Sequence, residues 1–447
     1  MHVEIIKTAS LGNRGYLVHD GTVAVAVDVQ RDFQRWIQFA KDAQVKITHV
    51  LETHMHNDYV TGGYKLAQEV GALYVVPTKS GQSFAAHEVQ DDEVILVGNL
   101  TVRALHTPGH TPHHMSYEVV DGVKSAVFTG GGVLYGTVGR PDLISKEMTQ
   151  PLAEAQYESA QKLVEKVEES AQVFPTHGFG SFCSSAPGTG ADASTLAEEK
   201  KVNIAYTSAS KQDFISTIIA GLGAYPRYYA HMGKMNQDGP SEMTIRPIES
   251  LDADQLKSML AHDEWVIDIR DRKAYAASHP QGAAGFEMAD SFSTYLGWLI
   301  PWGDALTLVG DSKEDLEAAQ VQLGRIGMDQ FVAHATDDMT SYFAAGEKQS
   351  YKVKNFEDLK KATEDESQYV LDVRTPEDWK VSHIKDSVNI PLYDLLDRVD
   401  ELPKDQKIWV HCASGYRASI AVSLLDRSGL PVILISDDFS GAPKVLF

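Results

Sequence analysis

The residues best suited to chemistry fall in four short stretches. In the first, metal-capable side chains alternate through Glu52-Thr53-His54-Met55-His56-Asn57-Asp58, directly after the apolar run 47–51. Such a run reads as a buried strand that opens into a loop, and residues two apart on an extended chain share a face. His54, His56 and Asp58 could therefore converge on one ion. The second stretch, His106-Thr107-Pro108-Gly109-His110, follows the strand-like run 100–105, and Pro108 with Gly109 forces a tight turn that holds His110 at a loop tip. In the third, Pro175-Thr176-His177-Gly178, a histidine again follows an apolar pair, Val173 and Phe174. Strand, loop and histidine thus recur three times. His54, His56, Asp58, His110 and His177 are the candidate metal ligands.

The fourth stretch is His411-Cys412-Ala413-Ser414-Gly415-Tyr416-Arg417-Ala418-Ser419, between the strand pattern 407–410 and the apolar helix pattern 420–425. A strand, a short loop and a helix start gather inward-pointing backbone N–H groups that stabilise an anion. Helix N-termini and a nearby arginine lower a thiol pKa, so Cys412 is expected as a thiolate with Arg417 as its fixed positive partner. The chain has only one other cysteine, Cys183, which rules out a disulfide framework and leaves reactive thiols as a possibility. Cys183 lies six residues after His177, and free cysteine is often a small core residue. Glu52, His113 and His114 read as groups supporting the ligands or as surface residues.

Elements that could position these residues follow from the hydrophobic pattern. Residues 1 to about 180 alternate short strand and helix patterns, and helix patterns at 150–170 and 196–222 come next. The polar stretches 236–241 and 346–350 have the composition of linkers. The segments on either side of the second linker resemble each other. Val266-Ile267-Asp268-Ile269-Arg270 matches Val370-Leu371-Asp372-Val373-Arg374, with His279 and His383 following at equal distance. Strand then helix, repeated, implies a parallel α/β sheet in each copy. In the first copy Asp311, Glu314 and Leu316 stand where the second has Cys412, Gly415 and Arg417, so its loop cannot do thiol chemistry and a scaffolding role is expected.

A net charge of −22, from 62 acidic and 40 basic residues, disfavours nucleic acid and anionic lipid as partners. No apolar run approaches the roughly 20 residues of a membrane span. The opening residues read directly as a strand, and a cytoplasmic protein is expected.

The three histidine loops together resemble the metallo-β-lactamase superfold over roughly residues 1–235. The match is closest to its persulfide dioxygenase branch, through Glu52 to Tyr59, His106 to His110, and Gly139-Arg140-Pro141-Asp142-Leu143. The paired C-terminal segments resemble duplicated rhodanese domains, whose Cys-to-Arg loop has four intervening residues, as here, where phosphatases have five. The resemblance implies an α/β chain: a metallo-β-lactamase αβ/βα sandwich in 1–240, a degenerate rhodanese-like domain in 241–348 and an active rhodanese domain in 349–447. By the same resemblance, Fe(II) is the expected cofactor, with zinc as the alternative. A small thiol persulfide of glutathione or coenzyme A type and O2 are the expected partners, and a homo-oligomer is expected. The resemblance also implies a substrate-binding role for Cys183, weighed equally against a small core residue.

The family binds iron through residues matching His54, His110 and an aspartate at the place of Gly131, so two of three ligands remain. His56 or Asp58 could complete the set by a small loop shift, which makes His54, His56 and His110 the expected intact set. Three histidines with an open fourth position also describe a catalytic zinc. If the family mechanism survives, His56→Ala is expected to remove the metal; if the site has decayed, an aspartate installed at Gly131 is expected to restore tight binding through a two-histidine, one-carboxylate site. Dinuclear members also need a histidine where Tyr59 stands. Three readings result: a persulfide dioxygenase coupled to sulfur transfer at Cys412, a zinc-dependent thioester hydrolase, and a sulfurtransferase whose N-terminal part is a metal-poor scaffold.

Overall fold

The computed structural model describes residues 1–365 and 368–446. It divides into two compact units: 1–243 with 323–327, and 244–322 with 328–447.

The first unit is a sandwich of two six-stranded sheets. One runs in chain order through β1 (His2–Thr8), β2 (Asn13–His19), β3 (Val23–Val27), β4 (Lys46–Leu51), β5 (Leu73–Pro77) and β6 (His87–Val89). Its first three strands are antiparallel and the rest join in parallel. The other sheet comprises β7 (Val94–Val97), β8 (Leu100–His106), β9 (Met115–Val120), β10 (Ser125–Gly130), β11 (Gln172–Pro175) and β12 (Ser194–Thr195), again in chain order.

Period-two patterning explains the layering. On β3, Val25 and Val27 face the inner core with Phe128, Tyr117 and Val102 of the opposite sheet. Ala24 and Ala26 face outward, against Trp36 of α1 (Gln34–Asp42) and Leu66 of α2 (Gly63–Val70). On the far side, Leu105, Val127 and Val173 pack with Ala160 and Leu163 of α3 (Thr149–Lys166) and with Phe214 and Ile218. A one-residue slip would exchange the inner and outer sets, so burial on both faces fixes the register. The result is helix, sheet, sheet, helix. The strands deliver their C-terminal ends, and the loops after Val27, Leu51, His106, Gly130 and Pro175, to one edge of the sandwich.

Two parts of the sequence reading are corrected here. The continuous helix expected over 196–222 is three helices: α4 (Leu196–Val202), α5 (Ile204–Thr207) and α6 (Lys211–Ala220). Asn203 breaks it, since its side chain accepts from Ala205 N and donates 2.7 Å bonds to the carbonyls of Leu134 and Thr137. Ser210 then caps α6. The stretch 236–241 is not wholly linker, because α7 (Tyr229–Asp238) runs into it and buries Asn236. Polar composition could not separate a solvated amide from a bonded one. Likewise Lys348–Gln349, in the second polar stretch, pairs with His279–Pro280.

The second unit holds two parallel sheets. In one, Trp265–Asp268 lies between Ala284–Gly285 and Leu306–Val309, with Val332–Thr336 outermost. The other has the order Lys352–Lys354, Val432–Ile435, Ile408–His411, Tyr369–Asp372, Val388–Asn389. The sequence repeat extends to side-chain detail. Arg270 Nη2 donates to Asp268 Oδ2 at 2.6 Å, and Arg374 Nη2 to Asp372 Oδ2 at the same 2.6 Å. Each arginine also reaches a serine carbonyl eight residues on, Ser278 and Ser382. His279 stacks on Tyr275 at 3.9 Å and His383 on Trp379 at 3.8 Å. No helix among the described residues is long and apolar enough to cross a membrane.

Candidate functional site

β4 ends at Leu51, so the side-chain alternation of an extended strand does not run on through Asp58. Three groups result, each with its ligand atoms within 4.8 Å of one another: His54, His110 and His177; His56, Asp58 and His177; and Asp28, Glu52 and His56. All five candidates are buried.

In the first triad, the hydrogen bonds fix which nitrogen of each ring carries the proton. Thr53 Oγ1 gives its single hydrogen to Asp28 Oδ2 at 2.8 Å and therefore accepts from His54 Nδ1, also at 2.8 Å. Asn13 Nδ2 donates to Asp58 Oδ2 at 2.7 Å, which turns its oxygen toward His177 Nδ1 at 3.0 Å. His110 Nδ1 donates to the Arg140 carbonyl at 2.8 Å. Each ring thus presents its Nε2 lone pair inward. His54 Nε2 and His177 Nε2 lie 3.3 Å apart, and His110 Nε2 has no hydrogen-bond partner.

Lone pairs facing at that distance repel unless a cation sits among them. The spacing also suits two nitrogens each about 2.1 Å from one ion. Burial pushes His110 down to about 3, helped by His177, and burial with the charge of His56 does the same to His177. His54 is lowered well below its ordinary range, mainly by burial. Neutral imidazoles with outward-anchored Nδ1–H groups are the form that binds a transition metal.

His56 differs. Its Nε2 lies 3.3 Å from Asp28 Oδ1 and 3.2 Å from Glu52 Oε2. Burial alone would lower its pKa, but the two carboxylates prevail and raise it to about 10. Asp28 likewise would be raised by burial, yet His56 and donors from Thr176 and Thr53 hold it below the usual carboxylate range. Glu52 is pushed up by burial, only partly offset by His56, so the imidazolium pairs chiefly with Asp28. The two carboxylates thus favour the protonated form of His56.

The folded value near 10 exceeds the ordinary 6.5. This pair's contribution to stability is therefore complete below about pH 6.5 and is lost as pH rises through about 10. Urea midpoints of metal-free protein are expected to fall between pH 7 and pH 10, and His56→Ala to lose that pH-dependent part of the fall. An equal fall in both proteins would refute the pairing.

Sequence reasoning missed several supports. Asp28 is the hub: a buried carboxylate in the left-handed region (φ 51°), accepting from Thr53 N, Thr53 Oγ1 and Thr176 Oγ1. Its signal was an acid directly ending an apolar strand. Asn13 gave no signal. Asn236 donates to the carbonyls of His56 and Tyr59, each at 2.9 Å, and accepts from Thr61 N, so it braces the ligand loop from α7. His114 is fully buried, accepting the Gly131 N–H at 3.1 Å, while His113 is only partly buried. Glu52 is also buried, accepting from Thr61 and Tyr74. Tyr59 stacks on His56 at 4.3 Å.

The expectation that aspartate at Gly131 completes the site is corrected. A Cβ there would lie 2.6 Å from His110 Cγ and 2.8 Å from its Nε2, so the ring already fills the space a carboxylate needs. Instead, His177 stands opposite His54 and His110.

Cys183 is fully buried, its thiol 3.7 Å from Tyr229 OH, and burial holds its pKa well above the ordinary thiol value. Its carbonyl accepts from Arg140 N at 2.8 Å, and Arg140 in turn accepts from His110. The segment carrying Cys183 therefore helps to place the His110 ring.

In the second unit, Cys412 ends the strand Ile408–His411 and precedes the helix Tyr416–Arg427. Gly415 N donates to Cys412 Sγ at 3.2 Å. Gly415 adopts φ 92°, and a Cβ would lie 2.8 Å from Ser436 Cα, so only glycine fits this turn. Arg417 is partly buried and meets Asp378 at 3.4 Å.

Both sites lie in segments that are similar to known protein families. A model of the metallo-beta-lactamase superfamily matches residues 16–177, and a rhodanese-like domain model matches residues 355–441. An atrochrysone carboxyl ACP thioesterase of Pseudocercospora fijiensis is 31% identical over 137 residues, 30% of this chain and 40% of that protein. A hydroxyacylglutathione hydrolase of Rhodopseudomonas palustris is 35% identical over 108 residues, 24% of this chain and 42% of the relative. The chain thus spans about two fifths of the length of these relatives. A mitochondrial persulfide dioxygenase of Bos taurus is 26% identical over 196 residues, 44% of this chain and 70% of that protein. A crystal structure described as a metallo-beta-lactamase from Staphylococcus aureus subsp. aureus COL superimposes with a TM-score of 0.67 at 27% identity, covering 75% of this chain and 98% of that one.

Proposed function

We propose that this chain, which carries an N-terminal metallo-β-lactamase superfamily domain and a C-terminal rhodanese-like domain, is a sulfur-metabolism enzyme that oxidises a low-molecular-weight persulfide and carries sulfane sulfur on Cys412. The domains are read as 1–240, 241–348 and 349–447, the last two being copies of one module. The pairing of two sites in one chain carries the reading: three converging imidazole lone pairs, and a thiol held in an N–H cradle. Similarity to a persulfide dioxygenase supports the oxidation.

His54, His110 and His177 would hold one iron ion, which when bound supplies redox chemistry and an open coordination position. Around it, Thr53, Asn13 and the Arg140 carbonyl keep the three Nδ1 protons outward and the Nε2 lone pairs inward. The Asp28 and His56 ion pair, neutral overall, lies beside the site. Met55 and Phe84 line a small cavity beside the site together with Glu52, His54 and His56. Overall, one persulfide RSSH with O2 and water gives RSH, sulfite and two protons.

At the second site the Cys412 thiolate attacks the outer sulfur of RSS−. A sulfur bond forms to Sγ, the RS–S bond breaks, and its electron pair leaves as RS−. The Gly415 N–H and Arg417 stabilise the charge on the sulfur. Asp311 in the earlier copy leaves that loop without a nucleophile.

The competing reading is a zinc thioester hydrolase, favoured by similarity to a thioesterase and to a hydroxyacylglutathione hydrolase. Three neutral histidines also suit catalytic zinc. Oxygen uptake by iron-loaded protein with glutathione persulfide decides between them. Uptake matched one-to-one by sulfite is expected; no uptake, with hydrolysis of a glutathione thioester by the zinc-loaded protein, would establish the hydrolase instead.

A further inference from the structure

The segment preceding the thiol-bearing module has no cysteine in its own loop, yet it supplies side chains to the Cys412 site. Its helix Phe292–Leu299 places Tyr295 with its ring 6.0 Å from that of Tyr416, inside the Cys412 to Arg417 loop. One turn on, Trp298 lies parallel to Tyr295, within 10° at 6.4 Å, and parallel to Tyr393, within 7° at 4.9 Å. Tyr416 is anchored to the same segment, its hydroxyl donating to the Glu287 carbonyl at 3.1 Å. Tyr295, Tyr393, Tyr416 and Arg417 are each partly exposed, so this row of rings ends at a surface beside the loop. The Tyr295 hydroxyl feels the charges of both Arg417 and Cys412.

We infer that Tyr295, Trp298 and Tyr393 form the specificity wall of the Cys412 site and select an organic persulfide over inorganic thiosulfate. This rests on the reading of Cys412 as the sulfur carrier. Thiosulfate is a small, strongly hydrated dianion, and to shed its water it needs concentrated positive charge. Arg417 is a cation beside the loop, offset by Asp378 at 3.4 Å, and Arg272, which also acts on Tyr416, is paired with Glu287 at 3.4 Å. Aromatic faces carry the negative lobe of the ring quadrupole, which a dianion avoids. The carbon skeleton of an organic persulfide, by contrast, gains contact with those faces and brings a single negative charge to the Gly415 N–H. Loss of the cysteine from the middle segment, with retention of its aromatic contribution, assigns that segment a part in substrate choice.

The test uses the full chain under anaerobic conditions and follows addition of one sulfur atom to Cys412 by intact-protein mass spectrometry. Glutathione persulfide and thiosulfate are the two donors. The ratio of second-order loading rates, glutathione persulfide over thiosulfate, is expected to fall tenfold or more in Tyr295→Ala. Tyr295→Phe, which keeps the ring, should hold the ratio within about twofold of wild type. Tyr393→Ala, at a partly exposed position, should lower the ratio in the same direction and covers the case in which Tyr295→Ala does not fold. Unchanged ratios in folded alanine variants, or equal loss with both donors, overturn the wall. Loading that persists in Cys412→Ser overturns the underlying assignment of the carrier instead.

Discussion

Replacing Cys412 by serine is expected to lower sulfur transfer by roughly a thousandfold or more, with the fold intact. Serine is close to cysteine in size, and its oxygen can still accept the Gly415 N–H that now meets Sγ at 3.2 Å. What it lacks is a polarisable anion able to attack sulfur and to hold it as a persulfide. The check is transfer of sulfane sulfur from glutathione persulfide to a thiol acceptor, beside circular dichroism of the variant. Undiminished transfer would move the chemistry to Cys183, which burial holds as a thiol bonded to Tyr229. Installing cysteine at Asp311 should not create activity, because Glu314 and Leu316 stand where that loop would need its glycine and arginine.

The second large effect concerns the metal ligands. His177→Ala is expected to lose the ion as completely as His54→Ala or His110→Ala, with affinity falling by about two orders of magnitude or more. His56→Ala should keep the ion while losing stability. Its removal leaves Asp28 and Glu52 buried beside each other without their cation, a kind of loss that typically costs about 3–5 kcal/mol. Gly131→Asp should weaken binding, since the new side chain and the His110 ring claim the same space. Elemental analysis of the purified variants, with urea unfolding alongside, measures both quantities, and no more than one transition ion per chain is expected in the wild type. Metal retained by His177→Ala and lost from His56→Ala would sink this ligand set.

Much of the architecture was legible because hydrophobic periodicity is a local property. The strand patterns 47–51, 100–105 and 407–410 emerge as Lys46–Leu51, Leu100–His106 and Ile408–His411, each ending where the chemistry begins. The Cys412 loop was legible for the same reason, since cysteine, glycine and arginine act within six consecutive residues. Where burial and hydrogen bonding crossed long stretches of chain, pattern failed. Asn236 looked like linker and is a brace for residues some 180 positions earlier. The run 196–222 looked like one helix until Asn203 found carbonyls at Leu134 and Thr137.

By itself, then, the sequence determined which side chains could bind a metal or carry sulfur, the strand ends that present them, and the likeness of two C-terminal segments of which the later carries Cys412. The division of labour among the histidines was decided by tertiary structure alone. His54 and His56 are two residues apart and chemically identical, yet one is held neutral with its lone pair inward and the other is charged near pH 10. The difference lies in their neighbours. Thr53 and Asp28 orient the first, while Asp28 and Glu52 together protonate the second. A pKa in a buried site is set by desolvation and by charges a few ångströms away, and spacing along the chain carries neither.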